Sequence, residues 1–281
     1  MPYLTSSRGM RWHYEEEGTG PGLLFLHGWG VDRRIWRQQF KFFSRDYCTV
    51  ALDLPGHGQS EWRPSSLADM AEDIRELFLR KNGGWRIVAS SLGGLVAFQL
   101  AACEPSRIRA LVFVGSLPKF VRDEGALYGL TPARIMKLQE QLRTDYPVIV
   151  RIFFRSLFTR SERNSRRYKW IQTFRRQEQS PDRDALAEFL DILVTADLRP
   201  VLSRCGIPVH MINGTEDYIC PRPVYEQMKR DYPALTVDWL PDCGHFPFLT
   251  KPYEFNGKLK EFLDRVGGDR EGRAKAAGGA L

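Results

Sequence analysis

The sequence contains no run of 18 apolar residues, so none of it is long enough to cross a bilayer as a helix. The N-terminal stretch Met1 to Arg8 has no hydrophobic core, and no secretory signal peptide is expected there. Cysteine is scarce. Cys48, Cys103, Cys205, Cys220 and Cys243 are an odd, scattered set without C-x-x-C spacing, which argues against a disulfide framework and a zinc site. Reduced thiols of a cytoplasmic protein are the expectation. No internal repeat is present. Histidine is limited to five residues, so a catalytic base can be sought by elimination.

What is present fits one large globular domain. A chain of 281 residues with 43% hydrophobic content can bury a full core. The net charge of +7 is uneven: residues 134–176 hold twelve basic and three acidic side chains, a local net of +9. Such a segment can steer an acidic partner. It carries no recognition motif for nucleic acid, and positive charge alone does not supply one.

Short apolar strands alternate with helices along most of the chain. Strands are predicted at 23–26, 49–52, 86–89, 109–115, 208–212 and 235–240. Helices are predicted at 35–43, from Ser66 to about Lys81, after Ser91, and at 253–266. This rhythm predicts an α/β fold with a mostly parallel, twisted sheet covered by helices on both faces. Tyr3 to Glu17 reads as an edge hairpin. Residues 118–200 break the rhythm and are predicted to form a helical cap inserted after the sixth strand. The expected organisation is a core in two parts, 1–117 and 201–266, the cap at 118–200, and a flexible tail at 267–281.

Ligands of open α/β sheets bind at the carboxyl ends of the strands. One such end carries Ala89-Ser90-Ser91-Leu92-Gly93-Gly94. A serine between a strand and an apolar helix, flanked by small residues, resembles a nucleophile elbow. The strict G-x-S-x-G pattern is broken by Ala89, and Ser91 keeps the S-x-G half; Ser90 would need a glycine at Leu92. A serine hydroxyl needs a base, usually a histidine oriented by a carboxylate. His13 lies in the hairpin, His27 and His57 in turns where bracing is expected, and His210 inside a strand. His245, after the last strand, is the candidate base. Asp217, after the strand ending at Ile212, is the candidate orienting acid, with Glu216 as runner-up. The oxyanion is expected to be held by the backbone N–H of Leu92 and of Trp29 in His27-Gly28-Trp29-Gly30.

HGWG at 27–30, DLPGHGQS at 53–60, SSLGG at 90–94, GTEDYICP at 214–221 and GHFPF at 244–248 together resemble the α/β-hydrolase superfamily over about 3–266. SLADMAE at 66–72, SLPKFVRDEG at 116–125, ADLRPVL at 196–202 and HFPFLTKPYEF at 245–255 resemble, more narrowly, the pimeloyl-[acyl-carrier protein] methyl ester esterases of biotin synthesis. That resemblance implies a serine carboxylesterase with Ser91, Asp217 and His245 as triad. It implies substrate contacts at Trp29, Ser91, Leu92, His245 and the cap segment Phe153, Phe154, Arg155, Ser156 and Leu157. It implies an acyl carrier protein as partner, met by Arg151, Arg155, Arg163, Arg166 and Arg167. No metal or organic cofactor is implied, and a cytoplasmic monomer is expected. Ala89-Ser90 departs from the Gly-Trp usual in that family. Other readings are a general short-chain esterase, a carbon–carbon bond hydrolase, and a hydrolase fold that only binds a ligand.

Overall fold

The computed structural model describes residues 2–79, 84–122, 129–175, 179–204 and 206–277, with side chains described through Gly267. Eight strands form one sheet: β1 (Tyr3–Thr5), β2 (Arg11–Glu17), β3 (Gly22–Leu26), β4 (Cys48–Leu52), β5 (Trp85–Ser90), β6 (Ile108–Val114), β7 (Val209–Gly214) and β8 (Thr236–Leu240). Their order is β1-β2-β4-β3-β5-β6-β7-β8. β1 pairs antiparallel with β2, and β2 with β4, while the other pairs are parallel. Tyr3 to Glu17 is thus the edge hairpin the sequence predicts.

β3, β4, β5 and β6 are apolar runs, buried almost without interruption, because helices cover both faces. α1 (Arg37–Phe43) packs with α12 (Pro252–Ala277). α2 (Leu67–Ile74) packs with α3 (Gly93–Cys103). α3 is buried along most of its length and has little amphipathic character, as befits a helix enclosed on several sides. Ser66 and Asp69 close a capping box at the start of α2. That helix was expected to reach about Lys81. It ends at Ile74, continues as a wider π-type turn over Arg75–Leu79, and residues 80–83 lie outside those described. The expected tail at 267–281 begins within α12, whose backbone is helical to Ala277; residues 278–281 lie outside those described.

Between β6 and β7 the chain carries the cap: α4 (Pro132–Thr144), α5 (Val148–Ser156), α6 (Arg160–Arg163), α7 (Arg166–Arg175) and α8 (Arg183–Thr195). α9 (Arg199–Arg204) then packs on α3, α10 (Arg222–Asp231) follows β7, and the short α11 (Pro247–Thr250) follows β8.

The order of strands positions the site. From β3 the chain crosses to β4 on one side, then returns to β5 on the other. The carboxyl ends of β3 and β5 therefore flank a topological switch point, where open α/β sheets form their crevice.

Candidate active site

Ser91 stands directly after β5, at a backbone φ of +51°, a region that non-glycine residues rarely occupy. Three contacts hold it there. Its N–H donates to the Val114 carbonyl at 2.9 Å; its own carbonyl accepts from Gly94 N–H at 2.9 Å and from Ser116 Oγ at 2.8 Å. The strain is thus stabilised by the ends of β6 and α3. Small residues around the serine have a steric cause. A Cβ on Gly93 would sit 2.4 Å from the His27 carbonyl oxygen, and one on Gly28 would sit 2.9 Å from Ser91 Cβ. The Gly28-Trp29 strip and the start of α3 therefore lie against the serine. Leu92 precedes the first residue of α3, where backbone N–H groups lack intrahelical partners and the helix dipole favours negative charge.

The loop after β8 brings in His245. Its Nδ1 lies 2.7 Å from Asp217 Oδ2, and both side chains are buried. A carboxylate only accepts, so Nδ1 is the donor of this pair and Nε2 is the ring nitrogen outside it. Asp217 is fixed in turn: Oδ1 accepts the N–H groups of Ile219 at 2.9 Å and Cys220 at 3.2 Å. The neighbouring Asn213 Oδ1 accepts Gly115 N–H at 2.9 Å and ties the ends of β6 and β7. Beyond His245, Phe248 stacks on Trp36 with centroids 4.0 Å apart, a pairing worth about 0.5–1.5 kcal/mol beyond area burial.

Asp217, His245 and Cys220 place ligand-type atoms within 4.8 Å of one another. Their chemistry does not suit a cation. Both oxygens of Asp217 already accept hydrogen bonds, and burial together with the nearby Asp217 charge pushes the Cys220 thiol well above its ordinary range. The thiol stays protonated and is a poor ligand.

His27 and His57 brace the loop after β3. Each donates from Nδ1 to a local carbonyl, of Gly28 at 2.8 Å and of Pro55 at 2.9 Å. Each then accepts a backbone N–H at Nε2, from Leu54 at 2.8 Å for His27 and from Gly30 at 3.2 Å for His57. Burial lowers both rings' affinity for a proton, to about 3 for His57. His13 instead meets Asp53 Oδ2 at 2.7 Å, in a buried cluster with Arg33.

Ser91 and His245 line one apolar cavity under the cap, with Trp29, Phe120, Ile135, Leu138, Phe153 and Leu190 among its walls. Its open volume is about 30 Å³, room for about one water molecule. Trp29 is fixed against the cap: Nε1 donates to the Leu186 carbonyl at 2.9 Å, and the ring meets Phe153 edge-on at 5.1 Å.

A family model described as "alpha/beta hydrolase fold" matches residues 21–252. The chain belongs to the α/β-hydrolase family. The hydrolase is 34% identical over 244 residues to a pimeloyl-[acyl-carrier protein] methyl ester esterase of Nitrosomonas europaea, covering 86% of this chain and 96% of that one. It is 33% identical over 249 residues to the protein of the same name from Yersinia enterocolitica, covering 86% and 93%. Among solved structures, a thermophilic esterase from Thermogutta terrifontis superposes with a TM-score of 0.81 at 24% identity, over 94% of this chain and 98% of that one. The enol-lactonase of Burkholderia xenovorans LB400 superposes with a TM-score of 0.80 at 20% identity, over 94% and 100%. Both of these likenesses concern the fold.

The hydrolase brings together Trp29, Ser91, Phe153 and His245 around the cavity, with Asp217 behind His245. Glu216 is exposed, and its described bond is with Thr215, not with His245. Other members of the expected cap segment point elsewhere. Phe154 packs on Phe158 and Phe246, Arg155 is exposed, and Ser156 Oγ bonds Tyr218 Oη at 2.7 Å. Leu157 takes part through its carbonyl, which accepts His245 N–H at 2.9 Å. Ser116 and the cavity wall from α4 and α8 carry no signal in the sequence, where they read as ordinary small and apolar residues.

Proposed function

We propose that the chain is a serine carboxylesterase that hydrolyses the methyl ester of a pimeloyl group carried on acyl carrier protein. The buried His245–Asp217 pair beside a serine held at positive φ is the observation that supports ester hydrolysis. His245 Nε2 takes the Ser91 proton as Oγ attacks the ester carbonyl. The N–H groups of Leu92 and Trp29 hold the oxyanion. The tetrahedral intermediate collapses, His245 protonates the departing methoxide, and methanol leaves an acyl-serine. Water then attacks with His245 as base and releases the acid.

The substrate assignment rests on the relatives, which carry that name at 33–34% identity over most of both chains. The cap supports a carrier partner. Arg151 and Arg155 are exposed on α5, which also carries the exposed apolar residues Val148 and Ile152, and Arg166 is exposed at the start of α7. Arg163 and Arg167 have structural tasks as well: Arg163 Nη1 donates to the Phe158 carbonyl at 2.6 Å, and Arg167 Nε to the Leu249 carbonyl at 2.6 Å. The first three are therefore the better carrier contacts. We place the enzyme in the cytoplasm as a monomer; among the described residues no helix is long and apolar enough to cross a membrane.

The apolar lining beside Ser91, with Phe120, Ile135, Leu138, Phe153 and Leu190, suits a second reading equally well, a general esterase of short acyl chains. The assay that separates the two compares pimeloyl-carrier methyl ester with the matching small-molecule methyl ester. The carrier reading expects a kcat/KM at least tenfold higher on the carrier-bound ester. Equal values favour the general esterase.

A further inference from the structure

The short helix α6 carries an acid whose contacts exceed those of a helix cap. Glu162 is 7% exposed. Its Oε2 accepts Thr159 N–H at 2.7 Å, and Thr159 Oγ1 accepts Glu162 N–H at 3.0 Å, which completes a capping box. The same Oε2 accepts Gly244 N–H at 3.1 Å, and Oε1 accepts from Thr250 Oγ1 at 2.8 Å. Gly244 and Thr250 stand on either side of His245. The next rung is the His245 N–H on the Leu157 carbonyl at 2.9 Å. The approach is tight: a Cβ on Gly244 would lie 2.4 Å from the Leu157 oxygen and 3.0 Å from Glu162 Oε2. A capping box needs only the bond to Thr159. The two further bonds reach 82 and 88 residues along the chain, one onto the loop that carries His245 and one onto the end of the short α11 that follows it.

We infer that Glu162 is a positioning residue: it clamps the loop around His245 to the cap, so that the base is in register with Ser91 only when α6 is seated. The inference rests on the proposed role of His245 as general base and acid. Buried charge-assisted bonds of this kind hold backbone in place strongly, and loss of the carboxylate leaves Gly244 N–H without its partner.

The leaving group provides the test. Methoxide needs a proton from His245 to depart, whereas p-nitrophenolate departs unassisted. A displaced His245 therefore harms methyl hexanoate more than p-nitrophenyl hexanoate. The comparison uses kcat/KM, which reports the steps through acylation, on the full chain, normalised to the fraction of serine titrated by a fluorophosphonate. Glu162→Ala is expected to lower kcat/KM on the methyl ester by tenfold or more, since small displacements of a catalytic group cost up to about 10²-fold. The loss on the p-nitrophenyl ester should be several-fold smaller. Glu162→Gln should stay within about threefold of wild type, because its oxygen can accept both N–H groups while its amide donates to Thr250 Oγ1. A ratio of the two esters unchanged in Glu162→Ala would overturn the inference. If that variant does not fold, Thr250→Val, which removes one partner of the carboxylate, carries the same test: a methyl-selective loss supports the clamp and an unchanged ratio contradicts it. His245→Ala is the control for the underlying reading. If it keeps full activity on both esters, the base assignment fails, whatever Glu162 does.

Discussion

Gly115 and His245 touch so closely that no side chain fits between them. A Cβ on Gly115 would lie 2.5 Å from His245 Cε1, 2.6 Å from Nδ1 and 3.2 Å from Asp217 Oδ2. The residue also sits at φ +56°, which an L side chain adopts at a cost of about 1–2 kcal/mol. Gly115→Ala is therefore expected to displace the imidazole and lower kcat by about a hundredfold. Steady-state kinetics on a p-nitrophenyl ester checks this, with circular dichroism to confirm the fold. Wild-type kcat in a folded Gly115→Ala protein would show that the contact is harmless.

Ala89 tests the opposite case. It is fully buried in β5, paired with Leu26 and Phe113, and departs from the glycine of the usual elbow. Ala89→Gly removes one methyl group and adds backbone freedom in a strand, at about 0.5–1 kcal/mol. Activity should survive while Tm falls by a few degrees. Thermal unfolding reads the change, and a rise in Tm would mean that Ala89 is itself strained.

Phe153 closes the cavity from the cap and packs edge-on against Trp29. Phe153→Ala should enlarge a space that now holds about 30 Å³ and move the preference toward longer acyl chains. A series of p-nitrophenyl esters from acetate to decanoate measures the shift. An unchanged optimum would place the acyl chain elsewhere.

Acid should destabilise the fold through buried neutral histidines. Burial lowers His57 to about 3 and His210 to about 4 from the ordinary 6.5, and lowers His27 as well. Their folded values lie below the unfolded value, so below pH 6.5 the unfolded chain binds more protons. Stability is then complete above about pH 6.5 and is lost as pH falls toward the folded values. Each group contributes a slope of roughly 1.4 kcal/mol per pH unit inside its window. Between pH 6.5 and 4.5, Tm should fall, and less steeply in His210→Gln. A flat Tm across that range would contradict the assignment.

Charge reversal separates the arginines. Arg151→Glu with Arg155→Glu removes exposed positive charge from α5. It should weaken cleavage of a carrier-bound ester at least tenfold while a small ester is cleaved almost as before. Equal losses on both would argue against carrier docking there. Arg167 is different: its Nε bond to Leu249 and its place 4.2 Å above Trp170 make it a structural link, so Arg167→Glu should lower Tm.

The legible parts of the molecule were those in which chemistry and period coincide. Apolar runs such as Leu23–Leu26 and Ile108–Val114 are short because strands are short, and the residues after them stand at one edge of the sheet. Ser91, Asp217 and His245 each follow a strand, and elimination among five histidines leaves His245 as the candidate base, which the structure places against Asp217. Long-range partnerships were not legible. Glu162 is one acid in a basic stretch, and nothing in RSER tells that its carboxylate reaches Gly244 and Thr250. The cavity wall comes from two cap helices whose apolar faces look like ordinary packing. Phe153 and Phe154 are adjacent in sequence, but the helix turns one into the cavity and the other against Phe158 and Phe246. The wide turn at Arg75–Leu79 leaves no mark in the apolar period of the helix before it.

Single turnover of Ser91→Ala on the methyl ester tests the central claim most directly, with methanol release as the readout. The account predicts correctly folded protein, no labelling by a fluorophosphonate, and methanol release reduced by about 10³-fold or more, as for loss of a triad nucleophile. Methanol released at the wild-type rate by the folded Ser91→Ala protein would contradict it.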